Sequence, residues 1–258
     1  MSIDIHQARH RLCFDTRAIE KRVGLILLAT DHSTEADFTR LVASNRVGVF
    51  STRIAYANPT TAENLRAMQP RLEQAARLLL PDEDLDVICF SCTAASVVIG
   101  DVAVAAAIRK AKPGVPVVTP AAAAATGLKA LGTRRISILT PYTVAVSEPM
   151  AAYFEAGGFH IESFTCLGLD DDRQMARIAR ESLIEAAVDA TSASAEALFI
   201  SCTALRSASV VSAIEARIGR PVVASNQASA WACLNHCGQW VARPDAGQLM
   251  TVAMPTES

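Results

Sequence analysis

Two cysteines, Cys92 and Cys202, stand in the same tetrapeptide, Ser-Cys-Thr-Ala, 110 residues apart. Each follows a short apolar run: Asp86–Ala94 reads DVICFSCTA and Glu196–Ala204 reads EALFISCTA. Such runs read as buried strands, so the pattern puts each cysteine at a strand end, where it opens a helix. The first turn of a helix offers unpaired N–H groups and a partial positive charge, which lower a thiol pKa and favour the thiolate. The same N–H groups, with the hydroxyls of Thr93 and Thr203, can hold a small carboxylate. Two thiols flanking one anion can take a proton from one face of a carbon and return one to the other. A single buried cysteine is more often a small core residue, but two in matching places argue for chemistry.

Other residues at strand ends could join them. Asp31 follows the first predicted strand, as a helix cap or a ligand contact, and Thr34 with Asp37 fits a capping box. Tyr142, in Thr-Pro-Tyr, holds the corresponding place in the second half and could donate to an oxyanion. Arg53 ends the second strand and is the nearest candidate cation for a substrate carboxylate. Asp172 closes the acidic run Asp170-Asp171-Asp172 beyond another strand. Cys89 and Cys92 form a C-x-x-C, but Cys89 falls inside the strand, which disfavours a redox pair or a zinc site. Cys233 and Cys237, one helical turn apart beside His236, read as packing. No dinucleotide or nucleotide-triphosphate loop and no nucleophile elbow appears, so no cofactor and no metal is expected.

The elements that must position these residues repeat. Ala107–Val118 (AIRKAKPGVPVV) is matched by Ala213–Val223 (AIEARIGRPVV), and Val23–Thr30 (VGLILLAT) by Arg135–Thr140 (RISILT), in the same order and at separations of 105 to 110. Strands are expected at Val23–Ala29, Val47–Ile54, Asp86–Ser91 and Pro116–Thr119. Their counterparts are Arg135–Leu139, His160–Thr165, Ala197–Ser201 and Pro221–Ala224. Helices are expected at Thr61–Leu80, Ala94–Lys112, Arg173–Ala190 and Leu205–Ile218. Strands alternating with helices imply an α/β fold of parallel sheets with right-handed crossovers. The expected architecture is two pseudo-symmetric halves, each a four-stranded parallel sheet flanked by helices, with an active-site cleft between them. The expected divisions are an N-terminal arm (1–22), a first half (23–133) and a second half with a C-terminal tail (134–258).

Composition narrows the function classes. The chain has 258 residues, 51% hydrophobic and 19% charged, with a net charge of −2, which suits a folded globular protein. No polybasic run stands out, so nucleic acid and membrane are not expected partners. The first 22 residues are polar, and no apolar stretch is long enough to span a bilayer, which points to the cytoplasm. Seven cysteines in a chain of this size argue for free thiols over a disulfide framework.

The paired Ser-Cys-Thr segments, the duplicated halves and Thr-Pro-Tyr resemble the aspartate/glutamate racemase superfamily. Within it, the chain is similar to the maleate cis-trans isomerase and arylmalonate decarboxylase branch, and most similar to ectoine-utilisation racemase-like proteins. The resemblance spans Val23 to Gln239. It implies a cofactor-independent isomerase or racemase with Cys92 and Cys202 as its catalytic thiols and Tyr142 as its active-site tyrosine. It also implies a homo-oligomer, a dimer by analogy. Asp31 and Asp172 fall where maleate isomerases carry asparagines. An ionised aspartate about 4 Å from a substrate carboxylate costs ~1 to 4 kcal/mol and would attract an ammonium by as much. That pattern points to an amino-carboxylate, such as 2,4-diaminobutyrate or its N-acetyl form. Maleate isomerisation through a covalent cysteine adduct, decarboxylation, and a non-catalytic two-lobed cytosolic binding protein are the competing readings.

Overall fold

The computed structural model describes residues 3–255; residues 1–2 of the arm and 256–258 of the tail lie outside the described residues. Strands β1 (Lys21–Leu28), β2 (Val47–Ile54), β3 (Val87–Ser91) and β4 (Val117–Val118) form one parallel sheet in the order β2-β1-β3-β4. Strands β5 (Arg135–Tyr142), β6 (His160–Leu169), β7 (Ala197–Ile200) and β8 (Val222–Ala224) form a second, in the order β6-β5-β7-β8. The two orders are identical once strands are counted within their own half, as a duplicated unit requires. The central strands are apolar on both faces because helices cover both. Val23, Leu25, Ile26 and Leu27 of β1 are all buried, as are Leu198, Phe199 and Ile200 of β7.

This order places the site. Within each sheet the chain moves one way from β1 to β2 and the other way from β1 to β3, and likewise from β5. Such a reversal opens a crevice beyond the carboxyl ends of the two central strands. Asp31 and Cys92 leave β1 and β3 there; Tyr142 and Cys202 leave β5 and β7. The two crevices are joined through the helix Ser225–His236, which follows β8 yet packs on helices Pro120–Ala130 and Thr34–Leu41 and on β3 of the other half. Trp231 of this helix is fully buried, and one continuous apolar core runs through both halves.

Four expected helices are each broken. Thr61–Leu80 divides into Ala62–Arg66, a 3₁₀ turn Gln69–Arg71 and Leu72–Arg77, because Pro70 brings no N–H to the helical ladder. Ala94–Lys112 divides into Thr93–Ile99 and Asp101–Arg109 at Gly100, whose φ of +92° suits glycine. Arg173–Ala190 divides into Asp172–Met175 and Arg180–Ala190, with Ala179 extended between them. Leu205–Ile218 becomes a 3₁₀ turn, Arg206–Ser209, followed by the helix Val211–Ile218. β5 also runs three residues further than expected. Tyr142 pairs with Leu169 across an irregularity at Pro141, which has no N–H to give the ladder.

Candidate active site

The two cysteines share a motif but not a local geometry. Cys92 is the cap residue of helix Thr93–Ile99, in extended conformation, and the Ala95 N–H favours its anion. Cys202 does not open a helix. Its φ is +100°, a left-handed conformation that costs about 1–3 kcal/mol for a residue with a side chain. This turn brings the N–H groups of Ala204 and Leu205 and the Tyr142 hydroxyl to bear on its sulfur, with the Met175 sulfur 3.9 Å away. The expected helix start at the second cysteine is thus replaced by a strained turn that supplies more donors than a helix start does at Cys92.

One hydroxyl ties the two motifs together. Ser225 Oγ accepts from Cys202 N at 3.1 Å and from Thr93 Oγ1 at 2.9 Å. Thr203 Oγ1 donates to the Ser91 carbonyl at 3.2 Å, and the Thr203 carbonyl accepts from Ser33 Oγ at 2.6 Å and Asn226 Nδ2 at 3.0 Å. The Thr93 and Thr203 hydroxyl protons, expected to meet a carboxylate, therefore join the halves instead. Every partner in this cluster is buried, so each bond is made where water cannot substitute.

Two buried carboxylates lie close by with different sets of donors. Asp31 accepts from Ser33 N at 3.0 Å, Thr34 N at 2.9 Å and Thr34 Oγ1 at 2.6 Å, so it holds the start of helix Thr34–Leu41. Burial raises its pKa against those three donors. The expected Thr34/Asp37 capping box is not formed. Asp37 accepts from Asn226 Nδ2 at 2.9 Å and pairs with Arg40 at 3.1 Å, while Thr34 turns to Asp31. Asp172 has one side-chain donor, Thr30 Oγ1 at 2.8 Å, from the opposite half. Burial, with Asp31 and Asp171 nearby, pushes Asp172 up to about 6 against that hydrogen bond and the influence of His32.

Asp172 in turn acts on both sulfurs. Burial first, and then the Asp172 charge, pushes Cys202 up to about 12; burial also holds Cys92 well above the ordinary thiol range. The expectation of lowered thiol pKa values is corrected: burial raises both and favours the thiol form of each sulfur. Burial likewise raises Tyr142 and Tyr56. Tyr56, absent from the sequence reading, is close enough to feel Asp172 and both cysteines, and its hydroxyl donates to Thr60 Oγ1 at 2.8 Å.

A strap from the first half closes over this cluster. Thr60 N donates to the Asp170 carbonyl at 2.6 Å, Asn58 Nδ2 to Asp171 Oδ1 at 3.1 Å, and Asp172 N to Asn58 Oδ1 at 3.3 Å. Cys92, Cys202, Tyr142 and Asp172 are each 5% exposed or less. Arg53 is not a free cation for substrate. It donates to the Leu28 and Asp31 carbonyls at 3.1 and 3.0 Å and pairs with Glu35, bracing the end of β1. Arg173 is taken up by Asp171. Met175, Ser225 and Tyr56 escape the sequence reading because apolar, hydroxyl and loop residues of these types carry no spacing signal.

The family profile described as arylmalonate decarboxylase matches residues 58–250. Maleate isomerase of Nocardia farcinica is 29% identical over 241 residues, covering 89% of this chain and 95% of that protein. Arylmalonate decarboxylase of Bordetella bronchiseptica is 32% identical over 150 residues, 57% of this chain and 62% of the relative. Among solved structures, a cysteine-to-serine variant of Nocardia farcinica maleate cis-trans isomerase with a covalently bound succinylcysteine intermediate is similar with a TM-score of 0.82 at 27% identity, covering 90% of this chain and 98% of that one. The chain therefore belongs to the arylmalonate decarboxylase family and is an enzyme of that family's paired-sheet α/β fold.

Proposed function

We propose that this enzyme is a cofactor-independent isomerase that inverts a small amino-carboxylate, with Cys92 and Cys202 as its two proton carriers. One observation carries the reading: the buried Asp172 carboxylate acts on both sulfurs while the nearby guanidinium groups of Arg53 and Arg173 are engaged elsewhere. A second carboxylate is repelled from such a place and an ammonium is attracted. A derivative of 2,4-diaminobutyrate from ectoine breakdown fits that charge pattern.

The chemistry follows from the resting thiols. A bound ammonium beside Asp172 cancels part of the negative field that raises the sulfur pKa values, so substrate binding itself favours release of one thiol proton to water, which leaves one sulfur as thiolate and the other as thiol. The thiolate then takes the α-proton: the C–H bond breaks, an S–H bond forms and the electron pair moves into the carboxylate. The opposite thiol gives its proton to the other face, so its S–H bond breaks and a new C–H bond forms. The centre is inverted and the two sulfurs have exchanged protonation states. Tyr142 and the Ala204 and Leu205 N–H groups stabilise Cys202 whenever it is the anion.

A second reading is maleate isomerisation, supported by the full-length maleate isomerase relative and by the succinylcysteine in the related structure. There a cysteine sulfur adds to the double bond, the adduct rotates about its new single bond, and the C–S bond breaks to give the trans product. The readings separate by pH. Maleate needs Asp172 protonated, so its conversion rises below pH about 6, whereas an ammonium needs it ionised.

Proton exchange in deuterated water, followed by NMR, tests both. Diaminobutyrate, its N-acetyl forms, aspartate, glutamate and maleate are offered to the wild type, Cys92→Ser and Cys202→Ser. Loss of an α-proton signal that requires the cysteines supports the leading reading. Conversion of maleate with no α-exchange in any amino acid refutes it in favour of the second.

A further inference from the structure

The N-terminal arm and a groove on the second half are both uncovered in the single chain, and their chemistries match. Residues 3–16 form no helix or strand, and Ile3, Ile5, Leu12 and Phe14 are between 65% and 91% exposed. Arg9, His10 and Arg11 lie between the two apolar pairs. The arm is first fixed at Arg17, which pairs with Asp86 at 3.1 Å just before β1. Fourteen residues beyond that anchor reach about 46 Å when extended.

The groove, of about 380 Å³, lies between the helix Val144–Ala156 and β6. Val144, Ala151, Ile161 and Phe164 make its apolar lining, and Glu148 and Glu155 are exposed along the helix side. β6 is the outer strand of its sheet, so among the described residues one of its edges has no strand neighbour. An extended segment with apolar residues two apart is the natural complement of such a groove and edge. An apolar, basic segment that a single chain leaves in solvent, together with an apolar, acidic groove that it leaves open, suits a contact between two chains.

We propose that two copies of this chain dimerise by exchanging arms: the arm of each lies in the groove of the other, with Arg9 and Arg11 against Glu148 and Glu155 and the apolar pairs against Val144, Ala151 and Phe164. The contact is closed and two-fold, so it stops at a dimer. It also gives two otherwise unassigned cysteines a location. Cys13 stands between Leu12 and Phe14 in the arm and is exposed; Cys166 lines the groove and is partly buried.

Those two thiols provide the test. A short bismaleimide added to the wild type joins Cys13 of one copy to Cys166 of the other, giving a species of twice the chain mass that is lost in Cys13→Ser and in Cys166→Ser. Sedimentation equilibrium supplies a second measurement. Glu148→Arg with Glu155→Arg weakens the dimer about tenfold, and adding Arg9→Glu with Arg11→Glu restores it. A monomeric wild type, a Cys13–Cys166 link found only within single chains, the absence of any such link, or charge reversals without rescue each overturns the proposal.

Discussion

At the scale of single residues, the site is defined by which groups hold protons. Cys92 and Cys202 were legible in the sequence because a reactive residue type recurred in one motif at a regular separation. Their protonation was not legible, since it depends on burial and on a carboxylate brought from another strand end. The engagement of Arg53 is hidden from the sequence for a similar reason: its partners, the Leu28 and Asp31 carbonyls and Glu35, come from a neighbouring strand end and the helix after it. Replacing either cysteine with serine should lower turnover about 10²- to 10⁴-fold, the usual contribution of a positioned proton carrier, while leaving the far-ultraviolet circular dichroism unchanged. Asp172 offers a sign-specific prediction. Its folded-state pKa of about 6 exceeds the ordinary 3.8, so ionising it opposes folding. The penalty is absent below pH about 4, grows between 4 and 6 and is full above, at about 3 kcal/mol. Asp172→Asn should therefore raise the melting temperature at pH 8 and have little effect at pH 4. In the same variant, the rise of amino-acid exchange through pH about 6 should disappear.

At the scale of elements, the strands were read well because buried parallel strands are short apolar runs, and β2 matches its expected bounds. The expected helices are longer than those observed, since periodicity continues through breaks that a proline, a positive-φ glycine or a tertiary contact imposes. Periodicity also gave no hint that helix Ser225–His236 would cross to the other half. Its first residue accepts from Cys202 N and Thr93 Oγ1 and so joins the two Ser-Cys-Thr-Ala motifs. Ser225→Ala leaves both buried donors without that acceptor and should destabilise the fold by about 2–3 kcal/mol, read from urea unfolding. Ser225→Thr, which keeps the hydroxyl, should recover most of the loss.

At the scale of the whole molecule, duplication was visible in the order of matched segments, and the two equivalent sheets follow from it. The closed strap was not visible, because Asn58, Thr60 and the 170–172 run carry no pattern linking them across the sequence. Closure has a measurable cost in access. With both sulfurs buried and protonated, iodoacetamide should label Cys92 and Cys202 slowly at neutral pH, and slower still with a bound substrate. Asn58→Ala removes two of the strap's hydrogen bonds and should speed labelling of both thiols severalfold, as mass spectrometry of the tryptic peptides would show. Equal labelling rates in wild type and variant would mean that the strap does not control entry.

Under the proposed inversion, the unequal surroundings of the two sulfurs bear on how turnover is divided between mirror-image substrates. Cys202 has two backbone N–H groups and a phenol at its sulfur, and Cys92 has one N–H. For an inverted centre the two substrates are equal in energy in water, so kcat/KM must be the same for both, however lopsided the site. The difference in sulfur environment can show itself only in the separate kcat and KM values, with the hand bound more tightly being the one turned over more slowly.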